Sequence, residues 1–91
     1  MQFEWDQRKA AANQRKHGVR FKDAISVFLD ARARIFPDPD HSETEDRELI
    51  VGYDSAARLL YISFVERHGN VRIIRARRAT MREVLAHEKF S

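Results

Sequence analysis

The chain has 91 residues, no cysteine and a formal net charge of +3. A chain of this length builds one modest core, and the lack of cysteine excludes disulfides, thiolate zinc sites and a cysteine nucleophile. No run of about 18 apolar residues is present, so no membrane-spanning helix is predicted. We expect one domain over residues 1–91. Because the N-terminal segment lacks the pattern of a signal peptide, we also expect a cytoplasmic location.

The first 30 residues predict a short strand followed by two helices. Phe3 and Trp5 alternate with polar residues, as in a strand. Asp6 is suited to cap a helix that runs to residue 16 or 17, where Gly18 can end it. An apolar face with helical spacing predicts the second helix. Its members are Phe21, Ala24, Ile25, Phe28 and Leu29.

After residue 30 the spacing of the apolar residues changes from that typical of a helix to that typical of strands. A proline-containing loop is predicted at residues 37–44 and a turn at 68–70. Strands are predicted at residues 32–36, 47–53, 58–66 and 71–77. The strand at 58–66 has little polarity on either face, so we expect it to be central.

Thr80 and Glu83 predict a capping box for a last helix, which would turn Met81, Val84 and Leu85 inward. Short turns between consecutive strands favour antiparallel pairing. The predicted fold class is therefore α+β, in the order β-α-α-β-β-β-β-α, with a mainly antiparallel sheet packed against helices.

Arginine is concentrated where the last strand meets the last helix. The residues concerned are Arg72, Arg75, Arg77, Arg78 and Arg82. Arginine keeps its charge, and its planar donors match phosphate oxygens. Strand alternation would place Arg75 and Arg77 on one face with Val71 and Ile73. The cluster indicates a phosphate-bearing partner. The alternative is ion pairing within the chain, with Asp38, Asp40, Glu43, Glu45, Asp46 or Glu48.

Charge is unevenly distributed along the chain. Lys and Arg number six against four Asp and Glu in residues 1–30, three against seven in 31–54, and eight against three in 55–91. A strongly basic C-terminal part is typical of nucleic-acid binding. The alternative is a cationic face that is merely solvated.

If the partner is RNA, its ribose 2′-hydroxyl can attack the adjacent phosphate, so the protein need not supply a nucleophile. Cleavage then needs cations around the phosphorane and a group that transfers protons. The histidines are candidates for that group: His17, His41, His68 and His87. Each also has a structural interpretation, and His17 in particular fits the end of a helix. The acidic loop around His41 has only a weak likeness to a cation site, because it lacks the glycine and spacing of a calcium loop.

Several of these segments together resemble the BrnT family of bacterial type II toxins. They are Phe3-Glu4-Trp5-Asp6, Asn13 with Lys16-His17-Gly18-Val19, Phe28 with Asp30, Asp40-His41-Ser42, Glu45 with Arg47, Gly52, Glu66-Arg67, and Arg72-Ile73-Ile74 with Ala76-Arg77-Arg78-Ala79-Thr80 and Glu83. The ordered set spans nearly the whole chain.

The resemblance implies a RelE-like fold and an endoribonuclease that arrests growth without a metal or other cofactor. It also implies neutralisation by a BrnA-like antitoxin with a ribbon-helix-helix domain, in a heterotetramer that contacts operator DNA only through the antitoxin. Two positions depart from the family pattern: residue 75 is Arg where a small polar residue is expected, and residue 87 is His where Tyr is expected.

The resulting hypothesis is a metal-independent endoribonuclease. Its catalytic candidates are Arg77, Arg67, Arg47, His41, Glu45 and His87. Its candidates for holding the RNA backbone are Lys9, Lys16, Arg75, Arg78 and Arg82. The alternative is a nucleic-acid-binding or protein-binding module without catalysis.

Overall fold

The computed structural model describes residues 1–39 and 46–89. In chain order the elements are β1 (Gln2–Glu4), α1 (Gln7–His17), α2 (Phe21–Ala24) followed directly by a 3-10 helix (Ile25–Leu29), β2 (Arg34–Pro37), β3 (Arg47–Tyr53), β4 (Leu59–Arg67), β5 (Asn70–Arg78) and α3 (Met81–Lys89). This order confirms the predicted α+β succession. None of the helices in the described part is long and apolar enough to cross a membrane.

The strands form one five-stranded sheet in the order β1-β5-β4-β3-β2. β1 is parallel to β5, and all other neighbours are antiparallel. β4 lies in the middle, as predicted. The β4–β5 turn has positive φ at both His68 (53°) and Gly69 (81°), the backbone that tight hairpins prefer. The sheet is therefore mainly antiparallel, as its short connections predict.

The helices α1 and α2 and the 3-10 helix cover one face of the sheet, which we call the core face. The residues of this core are Val19, Phe21, Ala24, Val27, Ile50, Leu60, Ile62, Phe64, Val71, Ile73 and Ala76. Trp5 is packed against this core, edge-on to Phe21 with ring centroids 6.1 Å apart. The opposite face, on which Leu49, Ser63 and Arg75 lie, is the outer face.

The second helix differs from the predicted one in its period. After Ala24 the chain continues as a 3-10 helix, which has three residues per turn. Phe21, Ala24 and Val27 are consequently buried at a spacing of three. The predicted inward position of Leu29 is wrong, because the shorter period turns this side chain out to 83% exposure.

A β-bulge changes which arginines of β5 share a face. Ser63 pairs with Arg75, but the next residue of β4, Phe64, pairs with Ile73, so Ile74 is the extra residue. One extra residue reverses the alternation beyond it. Val71 and Ile73 therefore lie on the core face, whereas Arg75 and Arg77 lie on the outer face. The predicted grouping of these four residues is wrong for this reason.

The last helix begins with the predicted capping box. The backbone N–H of Thr80 donates to Glu83 Oε1 (2.8 Å), and that of Glu83 donates to Thr80 Oγ1 (3.2 Å). The side chains that α3 turns inward are Val84 and His87. Met81 is 72% exposed and Leu85 60%, so the prediction that both face inward is wrong. Contacts of Glu83 with Arg77 and of His87 with Tyr53 fix the helix in this rotation.

α1 is joined to the edge of β5 by one buried side chain. Because β1 pairs only with residues 70–72, the edge of β5 beyond them is open to α1. There the Asn13 amide donates to the carbonyl oxygens of Ala76 (2.8 Å) and Val19 (2.9 Å), and Asn13 Oδ1 accepts from the Ala76 N–H (3.0 Å). Asn13 thus replaces a neighbouring strand at this point of the sheet.

We expect Asn13→Ala to lower the free energy of unfolding by about 2–4 kcal/mol, because three hydrogen bonds are removed and buried backbone groups are left unsatisfied. Urea titration measures this change. Gln14→Ala, at the next and exposed position, is the matched control. A loss of stability for Asn13→Ala no larger than that of the control would contradict the assigned role of Asn13.

Candidate functional site

A cation-lined pocket lies where α1 meets β5 and β3. Its volume is about 240 Å³. We call it the basic pocket, and its lining residues are Lys9, Ala12, Asn13, Lys16, His17, Arg47, Ile74 and Arg75. Seven residues, or two helical turns, separate Lys9 from Lys16, so both project from one side of α1. The bulge at Ile74 turns Arg75 toward the same space. Four cations converge here, and among the described residues no carboxylate lines the pocket.

The two lysines and Arg75 at the rim of the pocket are open to solvent. Lys9, Lys16 and Arg75 are exposed, and none of them forms an ion pair with a residue in the described ranges. Uncompensated cations around a concave surface create a field that attracts an anion. The pocket is therefore suited to a phosphate group.

His17 is the titratable neutral group of this pocket. Burial lowers the pKa of its imidazole, and the charges of Lys16, Arg75 and Arg77 lower it further. The ring is therefore uncharged at neutral pH and can accept a proton. Sequence reasoning gave His17 as one of four candidates for proton transfer but favoured a role at the end of the helix. The fold places it in the pocket because Gly18, with φ of 69°, ends α1 immediately after it.

Arg77 is engaged by a carboxylate of α3. Its Nη1 and Nη2 donate to the two carboxylate oxygens of Glu83 at 2.8 and 2.9 Å, and its guanidinium lies 4.5 Å from the ring centroid of Tyr61. The bond to Glu83 raises the pKa of Arg77, and the same bond lowers the pKa of Glu83 to about 2. Both groups are ionised at any ordinary pH. The acidic partner lies on α3, not in the loop that the sequence suggested.

A buried polar pair lies on the outer face near the start of β3. Asp38 is 1% exposed and accepts a hydrogen bond from the hydroxyl of Ser63 (3.0 Å). Its backbone N–H donates to the carbonyl of Arg47 (2.9 Å). This pair helps to fix the backbone that carries Arg47. Ser63 interrupts the otherwise apolar run of residues 59–65, and this was the signal in the sequence for such a partner.

The side chain of His87 is on the buried side of α3 and does not line the basic pocket. It is 6% exposed, and its ring meets Tyr53 edge-on with centroids 5.8 Å apart. Its Nε2 has no hydrogen-bonding partner among the described residues. A cavity of about 130 Å³ adjoins it, lined by Arg34, Phe36, Val51, Tyr61 and Ala86. A catalytic role for His87 stays a prediction.

The structure brings together only part of the predicted site. Lys9, Lys16, Arg47 and Arg75 share the basic pocket. Arg67 pairs with Asn70, whereas Arg77 pairs with Tyr61, six residues away along β4. At about 3.3 Å per residue this separates them by roughly 20 Å.

The remaining candidates lie elsewhere. Arg78 and Arg82 are exposed and do not line the pocket. His41 and Glu45 lie outside the described residues. In the ranges that the structure describes, no three His, Asp or Glu side chains form a group that could hold a metal ion.

Comparison with known proteins identifies the family. Residues 5–83 match the family model described as "Ribonuclease toxin, BrnT, of type II toxin-antitoxin system". The chain belongs to the BrnT family. This BrnT-family chain is 26% identical to the Brucella abortus ribonuclease toxin BrnT, whose 1.1 Å crystal structure it matches with a TM-score of 0.74, over 89% of this chain and 99% of that one. A comparison with curated protein sequences found no significant match.

Membership of the BrnT family establishes the general activity. The chain is a ribonuclease toxin of a type II toxin–antitoxin system, and such a toxin has an antitoxin partner. The family assignment therefore favours the endoribonuclease hypothesis over a binding module without catalysis. The predicted α+β fold is confirmed by the match to the Brucella structure.

We expect Glu83→Gln to lower the free energy of unfolding by an amount that depends on pH, because it removes the charge that pairs with Arg77. Glutamine can still accept from the Thr80 N–H but carries no charge. Since the pKa of Glu83 is lowered from 4.5 to about 2, its stabilisation is present above about pH 4.5 and is lost as the pH falls toward 2. Arg77 is more than a third exposed. Because solvent screens this pair, the free energy of unfolding of Glu83→Gln at pH 7 should be lower than that of wild type by about 1 kcal/mol.

Urea titrations of wild type and Glu83→Gln at several pH values measure this difference. Glu66→Gln, which changes an exposed carboxylate of β4, is the control. A difference that remains constant from pH 7 down to pH 2 would show that the loss does not come from the charge of Glu83.

Proposed function

We propose that this toxin cleaves RNA in the basic pocket, by attack of a ribose 2′-hydroxyl on the adjacent phosphate. The observation that carries the proposal is the convergence of four cations on a pocket whose described lining residues include no carboxylate. A backbone phosphate fits this charge pattern. Because the nucleophile belongs to the substrate, the protein has to supply only positioning, charge and proton transfer.

Arg47 and Arg75 are proposed to contact the scissile phosphate. Their planar donors can bind two phosphate oxygens at once and can stabilise the additional charge of the phosphorane. Lys9 and Lys16 then act as point charges that hold the adjoining backbone. Arg78 and Arg82 are exposed beyond the pocket and are proposed to extend this track.

The other catalytic candidates have a less direct place in the proposal. Arg77 can reach phosphate only by exchanging its carboxylate partner, Glu83, for the substrate. Arg67, at the far end of β4, is proposed to contact RNA at a distance from the cut. His41 and Glu45 remain candidates for proton transfer, as does His87 if α3 moves. We propose that none of these steps needs a metal or another cofactor.

The partner is proposed to be a BrnA-like antitoxin with a dimeric ribbon-helix-helix domain, which gives a heterotetramer of two toxins and two antitoxins. Operator DNA is then contacted only through the antitoxin, and the complex acts in the cytoplasm. Cations that bind phosphate can also bind carboxylates. An acidic segment of the antitoxin can therefore occupy the basic pocket and exclude RNA.

We expect cleavage to depend on the 2′-hydroxyl and to persist in excess chelator. The toxin, freed of antitoxin, is incubated with a short RNA and with the same RNA carrying one 2′-deoxy residue at the cut site. The first should yield a 2′,3′-cyclic phosphate or its hydrolysis product, and the second should resist. Mass spectrometry of the fragments measures both. Inhibition by chelator that magnesium restores would contradict the proposed chemistry.

We expect the antitoxin to displace RNA. Increasing antitoxin is added to toxin bound to the 2′-deoxy-substituted RNA, and fluorescence anisotropy of the labelled RNA is measured. Anisotropy should fall to that of free RNA, because both ligands need the same cations. A stable complex that contains toxin, antitoxin and RNA together would contradict inhibition by occlusion.

A further inference from the structure

His17 is held inside the basic pocket by the way α1 ends. It is the last residue of α1, and Gly18 follows with the left-handed φ of 69°. The next residue, Val19, is fully buried in the core. The backbone that follows His17 is therefore fixed by the turn at Gly18 and by the burial of Val19. The imidazole is half-buried and lines the pocket beside Lys16 and Arg75.

The charged groups of the described residues around His17 are all cations. From α1 they are Lys9 and Lys16, from β3 Arg47, and from β5 Arg75 and Arg77. In the described ranges, no carboxylate lines the pocket with the ring. A histidine beside a carboxylate tends to be protonated, whereas one beside cations gives up its proton. The surroundings of His17 therefore favour a neutral ring that can accept a proton.

We propose that His17 is the general base that removes the proton from the attacking 2′-hydroxyl. The assignment rests on the proposed function, since it requires the scissile phosphate to lie in the basic pocket. His17 lines the same pocket as the cations that would hold this phosphate, and a general base has to lie within hydrogen-bonding reach of the proton that it removes.

Atoms and charge balance in this step. A neutral ring nitrogen of His17 takes the 2′-hydroxyl proton while the 2′-oxygen bonds to phosphorus. The bond from phosphorus to the 5′-oxygen of the next nucleotide breaks, and that oxygen takes a proton from water. The products are a 2′,3′-cyclic phosphate and a 5′-hydroxyl end. The imidazolium then releases its proton to solvent, which restores the neutral ring.

The other described histidines do not have this position. His68 is exposed in the β4–β5 turn, and His87 is buried beneath α3 against Tyr53. Neither lines the basic pocket. His17 is thus the described histidine that combines access to the pocket with surroundings that keep the ring neutral.

The test is the pH dependence of RNA cleavage by full-length toxin. For the wild type, kcat/KM should rise with pH through an apparent pKa below 6.5, the usual value for histidine, and then level off. His17→Gln and His17→Asn should lower kcat/KM by roughly 100-fold or more and remove this rise. Imidazole added to the buffer should restore part of the activity. His68→Gln is the matched control and should keep the wild-type profile.

Binding of 2′-deoxy-substituted RNA separates a catalytic from a structural effect, because both His17 variants should bind it with the wild-type dissociation constant. An unchanged pH profile in a folded His17 variant would overturn the proposal. A wild-type kcat/KM that does not rise with pH in the acidic range would also overturn the proposal, and this measurement needs no variant. Absence of RNA cleavage by wild-type toxin would instead overturn the proposed function.

An RNA with sulfur in place of the 5′-bridging oxygen distinguishes a base from an acid. Its thiolate leaving group needs no proton. If His17 is the base, both His17 variants should cleave this RNA as poorly, relative to wild type, as they cleave the normal one. Recovery of wild-type rates on the sulfur-containing RNA would assign His17 to leaving-group protonation and overturn its assignment as the base.

Discussion

The hydrogen bonds between Asn13 and the backbone of Ala76 hold α1 against β5, and the functional site depends on them. Lys9, Lys16 and His17 all belong to α1, whereas Arg75 belongs to β5. One buried amide thus fixes the distance between the two halves of the basic pocket. It also satisfies backbone groups at an edge that would otherwise be open to pairing with another chain.

Ion pairing decides which arginines of β5 are available to a ligand. Arg77 is bound on both nitrogens by Glu83, and Arg72 lies 3.9 Å from Glu4. Arg75 has no such partner among the described residues. The bulge at Ile74 places it on the outer face, and it lines the basic pocket. A strand rich in arginine therefore contains both structural and available cations, and their partners distinguish them. The exposed Arg75 is the arginine of β5 that we place on the scissile phosphate.

Local signals in the sequence predict much of the fold. The caps at Asp6 and Gly18, the box of Thr80 with Glu83, and the central apolar strand are all confirmed, because each depends on neighbouring residues. The 3-10 period after Ala24 and the bulge at Ile74 are not predictable in this way, since both are set by packing against distant elements. The basic pocket could not be predicted for the same reason, because the sequence does not give the strand order that brings α1, β3 and β5 together. Resemblance supplied the family, and geometry showed which predicted cations converge.

The central claim is that RNA binds in the basic pocket through its phosphates, and the salt dependence of binding tests it most directly. The dissociation constant of 2′-deoxy-substituted RNA is measured at several salt concentrations for wild type and Arg75→Ala, with Lys22→Ala, an exposed lysine of α2 outside the pocket, as control. Removing one cation that binds a phosphate of a single strand should reduce the slope of log K against log salt by about 0.7. The account predicts weaker binding and a slope lower by about that amount for Arg75→Ala, and no change for the control. Equal affinities and equal slopes for all three proteins would contradict it.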